Sequence, residues 1–127
     1  MRVGIIGAGG VGVELVNYLL TLGNVREIVL VNRNKEKALG EVADFSYVES
    51  FTYARNTHLH SGSYADCAGC DVIVITAGAQ LKGNQTRDEL LGENALLIRE
   101  IVHTLHAHAP HAILIMVTNP VDVLTHI

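Results

Sequence analysis

Short runs of β-branched and other apolar residues alternate along the chain with longer stretches of helical periodicity. Strands are predicted at 2–6, 27–31, 57–60, 71–76 and 112–117. Helices are predicted at 10–22, 35–48 and 87–106, with a further helix opening at 121. This alternation is typical of parallel strands joined by helices that cover both faces of the sheet. We therefore predict a doubly wound α/β fold with a parallel sheet of order 3-2-1-4-5.

Composition limits the classes of protein to which the chain can belong. It has 127 residues, 49% of them hydrophobic, which is enough for one domain with its own core and excludes intrinsic disorder. The net charge of −4 and the absence of a Lys/Arg-rich run argue against a nucleic acid partner. The apolar runs are shorter than the roughly 20 residues that cross a bilayer, and we expect no signal peptide because the first residues read directly as a strand. We expect a cytoplasmic protein with no membrane partner.

Spacing and end signals predict how the helices pack and where they begin. In the first helix Val11, Leu15, Tyr18, Leu19 and Leu22 are predicted to share one helical stripe, with Gly23-Asn24 ending the helix. Asn34 and Thr86 are the predicted N-caps of the second and third helices.

A glycine-rich loop lies between the first strand and the first helix. Residues 7–12 read Gly-Ala-Gly-Gly-Val-Gly and match the pattern G-x-G-x-x-G. In such a loop Gly7 permits a tight turn, Gly9 lets a pyrophosphate approach the backbone, and Gly12 allows close packing of helix on strand. The N–H groups at the helix N-terminus then face the phosphates. The loop predicts dinucleotide binding by a Rossmann domain; the alternative is a glycine-rich turn that merely packs well.

The end of the second strand bears on the choice of dinucleotide. An acidic residue is expected there, about 20 positions after the loop, to bind the ribose hydroxyls. This sequence has Asn32 followed by Arg33. An amide lacks the repulsion of a carboxylate for a 2′-phosphate, and Arg33 can pair with one. NAD is therefore the expected cofactor, with NADP possible; alternatively, Arg33 is a solvated loop charge.

Several segments together resemble the N-terminal nucleotide-binding domain of the L-lactate/malate dehydrogenase family. They are the glycine loop, Thr76-Ala77-Gly78-Ala79 after the fourth strand, Gly83, Arg87 and Leu90 beyond it, and Thr118-Asn119-Pro120-Val121-Asp122. The resemblance covers the whole chain, 1–127. It implies the following cofactor-binding residues: Gly7, Gly9, Gly10, Val11, Gly12, Asn32, Arg33, Lys37, Tyr64, Thr76, Ala77, Gly78, Ala79, Val117 and Asn119.

The resemblance also implies two catalytic residues and one specificity residue, all in contact with substrate. Arg87 polarises the substrate carbonyl and stabilises the charge that develops on its oxygen. Asn119 contacts both the nicotinamide region and the substrate oxygen. Six positions before the arginine, lactate enzymes usually carry Gln and malate enzymes Arg; here the residue is Leu81. Leucine cannot pair with a carboxylate, so a 2-oxo or 2-hydroxy acid with an apolar side chain is expected, as in 2-hydroxyisocaproate dehydrogenases. If Lys82 takes this role instead, malate is favoured.

The catalytic domain of the family is expected to be absent from this chain. The family's general-base histidine, its aspartate partner and the arginine that clamps the substrate carboxylate lie in the second half of the full-length enzyme, and none of the seven histidines here fits that motif. The chain alone should bind cofactor and lose nearly all turnover. Full-length relatives imply a homodimer or homotetramer. A regulatory dinucleotide-sensing Rossmann module is the alternative, although such modules normally keep the acidic ribose residue.

Two local patterns resemble metal or redox sites. Cys67 and Cys70 are spaced as C-x-x-C, and His103 and His106 lie one turn apart on the third helix. A closed zinc site needs four ligands, and a thioredoxin-like pair needs a helix N-terminus after a strand; neither context is clear. We predict no metal, two small buried thiols and solvent-facing histidines.

Overall fold

The computed structural model describes residues 1–22, 24–49, 57–79 and 81–126 of the chain. Its five strands are β1 (Arg2–Ile6), β2 (Glu27–Val31), β3 (His58–Ser61), β4 (Val72–Ile75) and β5 (Ile113–Met116). Its helices are α1 (Gly10–Leu22), α2 (Lys35–Glu49), α3 (Arg87–His108) and α4 (Val121–Thr125), with a 3₁₀ helix at Tyr64–Cys67. All four strand pairings are parallel, and the order β3-β2-β1-β4-β5 confirms the predicted doubly wound Rossmann sheet.

The sheet separates two apolar cores, because successive side chains of a strand point to opposite faces. On one face Ile6 and Ile75 pack in a cluster with Ile98, Ile101 and Leu105 of α3. On the other face the core lies between the sheet and the helices α1 and α2. It contains Ile5, Leu30, Val16, Leu20, Ala38 and Phe45. The central strands β2, β1 and β4 are buried on both faces, which is typical of parallel strands with continuous apolar runs.

Helix α1 buries a different stripe from the one that the spacing predicts. Its buried residues are Gly12, Val16 and Leu20, four positions apart, whereas Val11, Tyr18 and Leu22 are exposed. A Cβ on Gly12 would overlap the carbonyl oxygen of Gly7, so the helix can approach the sheet most closely along the stripe that begins with this glycine. The prediction therefore followed the apolar residues and missed the backbone contact that sets the orientation of α1.

The predicted element bounds are otherwise close to the observed ones. Strand β3 begins and ends one residue later than predicted, and α3 continues two residues further, to His108. Asn34 Oδ1 accepts a hydrogen bond from Lys37 N at 3.2 Å, which confirms that N-cap. The proposed stop signal at position 23 lies outside the described residues. Within the described ranges, no helix combines the length and apolar character that crossing a membrane requires.

Candidate dinucleotide site

A cleft of about 800 Å³ opens at the carboxyl edge of the sheet, where β1, β2 and β4 end side by side. This volume lies within the range of pockets that hold small molecules and cofactors. One wall comes from the glycine loop and the turn after β2, and the other comes from α3. Ten of the predicted cofactor residues line the cleft: Gly7, Gly9, Asn32, Arg33, Lys37, Tyr64, Thr76, Ala77, Gly78 and Ala79.

The other predicted site residues are not among those lining this cleft. Gly10, Val11 and Gly12 form the first turn of α1, beside the loop. Leu81 and Arg87 are exposed, in the loop after β4 and at the first residue of α3. Val117 and Asn119 follow β5. The structure thus brings together much of the predicted cofactor set and leaves the predicted substrate residues outside the cleft.

The glycines of the loop differ in their surroundings: Gly7 is closely packed, whereas Gly9 faces open space. Gly7 has φ +116°, and a Cβ there would lie 2.7 Å from Thr76 Oγ1. That hydroxyl in turn approaches the carbonyl oxygens of Ile6 at 3.1 Å and Gly7 at 3.2 Å, which joins the loop to the end of β4. At Gly9, by contrast, a Cβ would meet no atom within 4 Å, although the residue lines the cleft. The loop therefore leaves room at Gly9 for a group that must approach the backbone closely.

Asn32 links the glycine loop to the turn that follows β2. Its Oδ1 accepts a hydrogen bond from Ala8 N at 3.2 Å, and its Nδ2 donates to the carbonyl oxygen of Asn34 at 3.1 Å. A carboxylate at this position would lack the donor that reaches Asn34. An amide oxygen has two lone pairs and an amide nitrogen two hydrogens, so Asn32 retains capacity for a ribose hydroxyl while it braces the loop.

Charges of opposite sign line the cleft. Arg33 and Lys37 come from the β2–α2 region, and Glu93 and Glu100 come from α3. Tyr64 is half-buried, and burial raises the pKa of its hydroxyl. The Glu100 carboxylate raises that pKa further, whereas Arg33 lowers it. The Tyr64 hydroxyl thus stays protonated at neutral pH, as a hydrogen-bond donor in the cleft.

Helix α3 supplies a wall that the sequence reasoning missed. Leu97 and Ile101 belong to the packing side of α3, but they also line the cleft, together with Glu93, Leu96 and Glu100. These five residues are spaced three and four apart, so they form one stripe of the helix. The sequence signal for this wall is that the same stripe of α3 also contains Leu96, which is exposed, and the carboxylates of Glu93 and Glu100.

Two buried polar residues hold the loop after β4 in place. Asn94 Oδ1 accepts a hydrogen bond from Ala79 N at 2.8 Å. Thr118 Oγ1 donates to the carbonyl oxygen of Ala77 at 2.5 Å, and its methyl group lies 2.7 Å from where a Cβ on Gly78 would be. Neither Asn94 nor Thr118 was predicted as a site residue. Buried polar side chains are usually hydrogen-bonded. Asn94, a single amide among apolar residues of α3, was therefore the sequence signal for a structural hydrogen bond.

The two patterns that resemble metal or redox sites do not line the cleft. Cys67 and Cys70 are both buried and carry free thiols. His103 and His106 are exposed on α3. Over the part of the chain that the structure describes, no three His, Cys, Asp or Glu residues are grouped as metal ligands.

Fold and site together define a class of protein. A parallel sheet of order 3-2-1-4-5 with a glycine loop at the β1–α1 junction and a cleft over the carboxyl edge is a Rossmann dinucleotide-binding domain. A family model described as "lactate/malate dehydrogenase, NAD binding domain" matches residues 1–127. The chain therefore belongs to the lactate/malate dehydrogenase family, as its NAD-binding domain.

Individual relatives agree with this assignment. The chain is 44% identical over 127 residues to an L-lactate dehydrogenase of Allorhizobium ampelinum and 42% identical over 126 residues to L-lactate dehydrogenase 1 of Clostridium acetobutylicum. The two alignments cover 100% and 99% of this chain, but 40% of the length of each relative.

Solved structures give the same result. A minor L-lactate dehydrogenase of Enterococcus mundtii in a ligand-bound form matches with a TM-score of 0.93 and 34% identity, over 98% of this chain and 40% of that one. A malate dehydrogenase of Archaeoglobus fulgidus in complex with NADH matches with a TM-score of 0.91 and 32% identity, over 99% of this chain and 43% of that one.

Proposed function

We propose that the chain is the cofactor-binding part of an L-2-hydroxy acid dehydrogenase that transfers a hydride between NAD(H) and a 2-hydroxy or 2-oxo acid. The observation that carries the proposal is the cleft at the carboxyl edge of β1 and β4, where the glycine loop leaves open space at Gly9. A pyrophosphate fits that space, because no side chain occupies it and the N-terminus of α1 lies beside it. The bound nicotinamide would supply the hydride donor or acceptor.

The charges around Asn32 favour acceptance of NADP as well as NAD. Arg33 and Lys37 both line the cleft next to the ribose position, where no carboxylate follows β2 to repel a 2′-phosphate. Replacing Arg33 by Ala is expected to weaken NADPH binding by about tenfold or more and NADH binding by less than about twofold, since one charge-assisted contact contributes roughly 1.5–3 kcal/mol. Arg99→Ala is the control, because Arg99 is exposed on α3 and does not line the cleft. Equal losses for both dinucleotides would exclude this role of Arg33.

Residues outside the cleft are proposed to select and polarise the substrate. Arg87 would donate hydrogen bonds to the substrate oxygen, and Asn119 would contact the same oxygen and the nicotinamide. Leu81 would face the substrate side chain, so the preferred substrate would have an apolar side chain there rather than a second carboxylate. The support for these roles is the position of the three residues in segments that resemble the family.

The substrate proposal is tested by joining residues 1–127 to the remaining part of the Allorhizobium ampelinum L-lactate dehydrogenase. The chimera is expected to reduce 4-methyl-2-oxopentanoate with a higher kcat/KM than pyruvate or oxaloacetate. Leu81→Gln should move the preference towards pyruvate, and Leu81→Arg towards oxaloacetate, by about tenfold or more each. An active chimera whose preference does not change in either variant would contradict the role of Leu81.

The chain of 127 residues is proposed to bind cofactor without appreciable turnover of its own. The resemblance assigns the general base and the carboxylate clamp to segments that these residues do not match. Proton transfer and substrate positioning are separate contributions of about 10² or more each, so their loss removes nearly all activity. Reduction of a 2-oxo acid by the purified chain at the rate of the chimera would overturn this proposal.

A further inference from the structure

A tight turn joins Cys67, the last residue of the 3₁₀ helix, to Cys70, which precedes β4. Ala68 has φ −58° and ψ 129°, Gly69 has φ +84°, and Cys70 N donates to the carbonyl oxygen of Cys67 at 3.0 Å. These values describe a type II β-turn. Such a turn holds its first and fourth Cα atoms within about 7 Å, and disulfides span Cα distances of about 4.4–6.8 Å. The turn therefore brings the two Cα atoms into the range of separations that a disulfide can span.

Both cysteines belong to the same core cluster. Cys67 is 0% exposed and Cys70 is 7% exposed, so a small oxidant from solvent reaches Cys70 first. Cys67 Sγ also lies 4.0 Å from the carbonyl oxygen of Ser63. Within the described residues, then, the paired thiols are close to each other and differ in access to solvent.

The surroundings favour ionisation of Cys70. The neighbouring Cys67 thiol lowers the pKa of the Cys70 thiol and the Arg2 guanidinium lowers it further, against the effects of burial, Glu27 and Asp71. Arg2 Nη1 lies 2.9 Å from where a Cβ on Gly69 would be, which places the cation over the turn. The Cys70 thiol and burial raise the pKa of Cys67. A thiolate is the nucleophile in thiol oxidation, and Cys70 is also the more exposed of the two residues, so Cys70 is assigned as the one that reacts first.

We propose that Cys67 and Cys70 are a reversible oxidation site that forms an intramolecular disulfide with hydrogen peroxide. The Cys70 sulfur attacks one peroxide oxygen, the O–O bond breaks, and hydroxide leaves with the thiol proton as water, which gives a sulfenic acid. The Cys67 sulfur then attacks Cys70, the S–O bond breaks, and a second water leaves with the Cys67 proton. The two thiols lose two electrons in total, and the peroxide gains them.

This site is separate from the dinucleotide cleft. The turn lies at the amino end of β4, whereas the cleft lies at the carboxyl end of the same strand. The proposal therefore does not depend on the function proposed above.

The experiment treats the folded 127-residue chain with hydrogen peroxide, removes the oxidant, unfolds the protein and adds N-ethylmaleimide before intact mass measurement. The expected product is a monomer lighter by about 2 Da, which takes up no maleimide and recovers two reactive thiols after dithiothreitol. Two reactive thiols after peroxide treatment, a disulfide-linked dimer as main product, or stable oxidation of one sulfur without a bridge would each overturn the proposal.

Single variants test the order of the two steps. Cys67→Ala is expected to stop at a sulfenic acid on Cys70 that dimedone traps. Cys70→Ser is expected to leave Cys67 unmodified under the same exposure, because that thiol is fully buried. Both variants are first checked for a cooperative unfolding transition. Dimedone trapped on Cys67 in the folded wild-type chain, rather than on Cys70, would reverse the assignment and contradict the mechanism.

Discussion

At the scale of single residues, the glycines of the β1–α1 loop have different structural roles although the sequence does not distinguish them. Gly7 turns the chain with a positive φ and touches Thr76, and Gly12 contacts the carbonyl oxygen of Gly7. Gly9 has neither constraint, because the space in front of it is open. A side chain at Gly7 or Gly12 would disturb the fold, whereas one at Gly9 would enter the open space where the pyrophosphate is proposed to lie. We therefore expect a substitution at Gly9 to change dinucleotide binding with little effect on stability.

Replacing Gly9 by Ala is expected to lower the affinity for NADH at least tenfold, because the new methyl group stands where the pyrophosphate must approach the backbone. The free energy of unfolding should change by less than about 1 kcal/mol. Gly40→Ala is the matched control, since a Cβ there also meets nothing within 4 Å. It should stabilise α2 by about 1 kcal/mol or less and leave NADH binding unchanged. Titration calorimetry and urea unfolding measure both quantities; unchanged NADH affinity in Gly9→Ala would contradict the role of the loop.

Glu27 connects three strands at the edge of the sheet opposite the cleft. Its carboxylate accepts hydrogen bonds from Arg2 Nε at 2.6 Å and pairs with His60 Nε2 at 2.7 Å, and the His58 ring stacks on His60. The bond with His60, assisted by Arg2 and opposed by burial, lowers the pKa of Glu27 below its ordinary value of 4.5. This contribution to stability is present above the ordinary pKa and is lost as pH falls through the lowered one.

Accordingly, Glu27→Gln should reduce the stability measured at pH 6 and flatten the decline in stability between pH 5 and pH 3, roughly the range in which carboxyl groups titrate. Urea unfolding midpoints across this range provide the measurement. Glu14→Gln, an exposed residue on α1, is the control and should keep the wild-type slope. A slope in Glu27→Gln equal to that of the wild type would show that this carboxylate does not contribute to the acid sensitivity.

At the scale of elements, the loop after β4 is held between α3 and the segment after β5. Asn94 binds the N–H of Ala79, and Thr118 binds the carbonyl oxygen of Ala77. These bonds fix one wall of the cleft, because residues 76–79 line it. The cleft is therefore formed by contacts between elements that are distant in the sequence.

Asn94→Leu removes the acceptor for Ala79 N and leaves that N–H unpaired. We expect a loss of about 1–3 kcal/mol in the free energy of unfolding, together with a NADH affinity at least fivefold lower. Ile98→Val, one turn further along the buried side of α3, should cost about 0.5–1.5 kcal/mol without altering the affinity. Equal affinity in both variants would mean that Asn94 contributes to the core but does not position the loop.

The elements and their order follow closely from the sequence, since apolar periodicity is a local property. The β1–α1 loop and the Thr86 cap illustrate this: Thr86 Oγ1 accepts from Glu89 N at 3.2 Å, as the pattern predicts. The buried stripe of α1 does not coincide with its predicted apolar stripe, because Gly12 has no side chain to reveal a backbone contact. The α3 wall and Asn94 were missed for a related reason. Their roles depend on which elements meet in space, and spacing within one element does not determine that.

At the scale of the whole molecule, the sheet ends at β5 in an unusually apolar edge. Ile113 is 66% exposed and Ile115 is 46% exposed, whereas the central strands β2, β1 and β4 are buried on both faces. Leu114, on the opposite face, is 37% exposed. An exposed apolar edge strand favours pairing with another chain. The chain of 127 residues is therefore expected to self-associate through β5.

Replacing both Ile113 and Ile115 by Lys should shift the 127-residue chain towards monomer, because charged residues oppose edge-to-edge pairing. Leu22→Lys is the control: Leu22 is 78% exposed, at the end of α1, yet it lies outside this edge. Sedimentation velocity over a range of concentrations measures the effect. Association that persists in the double variant, or that Leu22→Lys removes equally well, would contradict the assignment to β5.

Titration of the purified chain with NADH and, separately, NADPH by calorimetry tests the account most directly. The cleft at the carboxyl edge predicts one site per chain, with a dissociation constant that we expect to be roughly micromolar to low millimolar, a typical span for modest affinities. It also predicts measurable binding of NADPH through Arg33 and Lys37. A sample that unfolds cooperatively yet gives no heat with either dinucleotide would contradict the central claim that this domain binds the cofactor by itself.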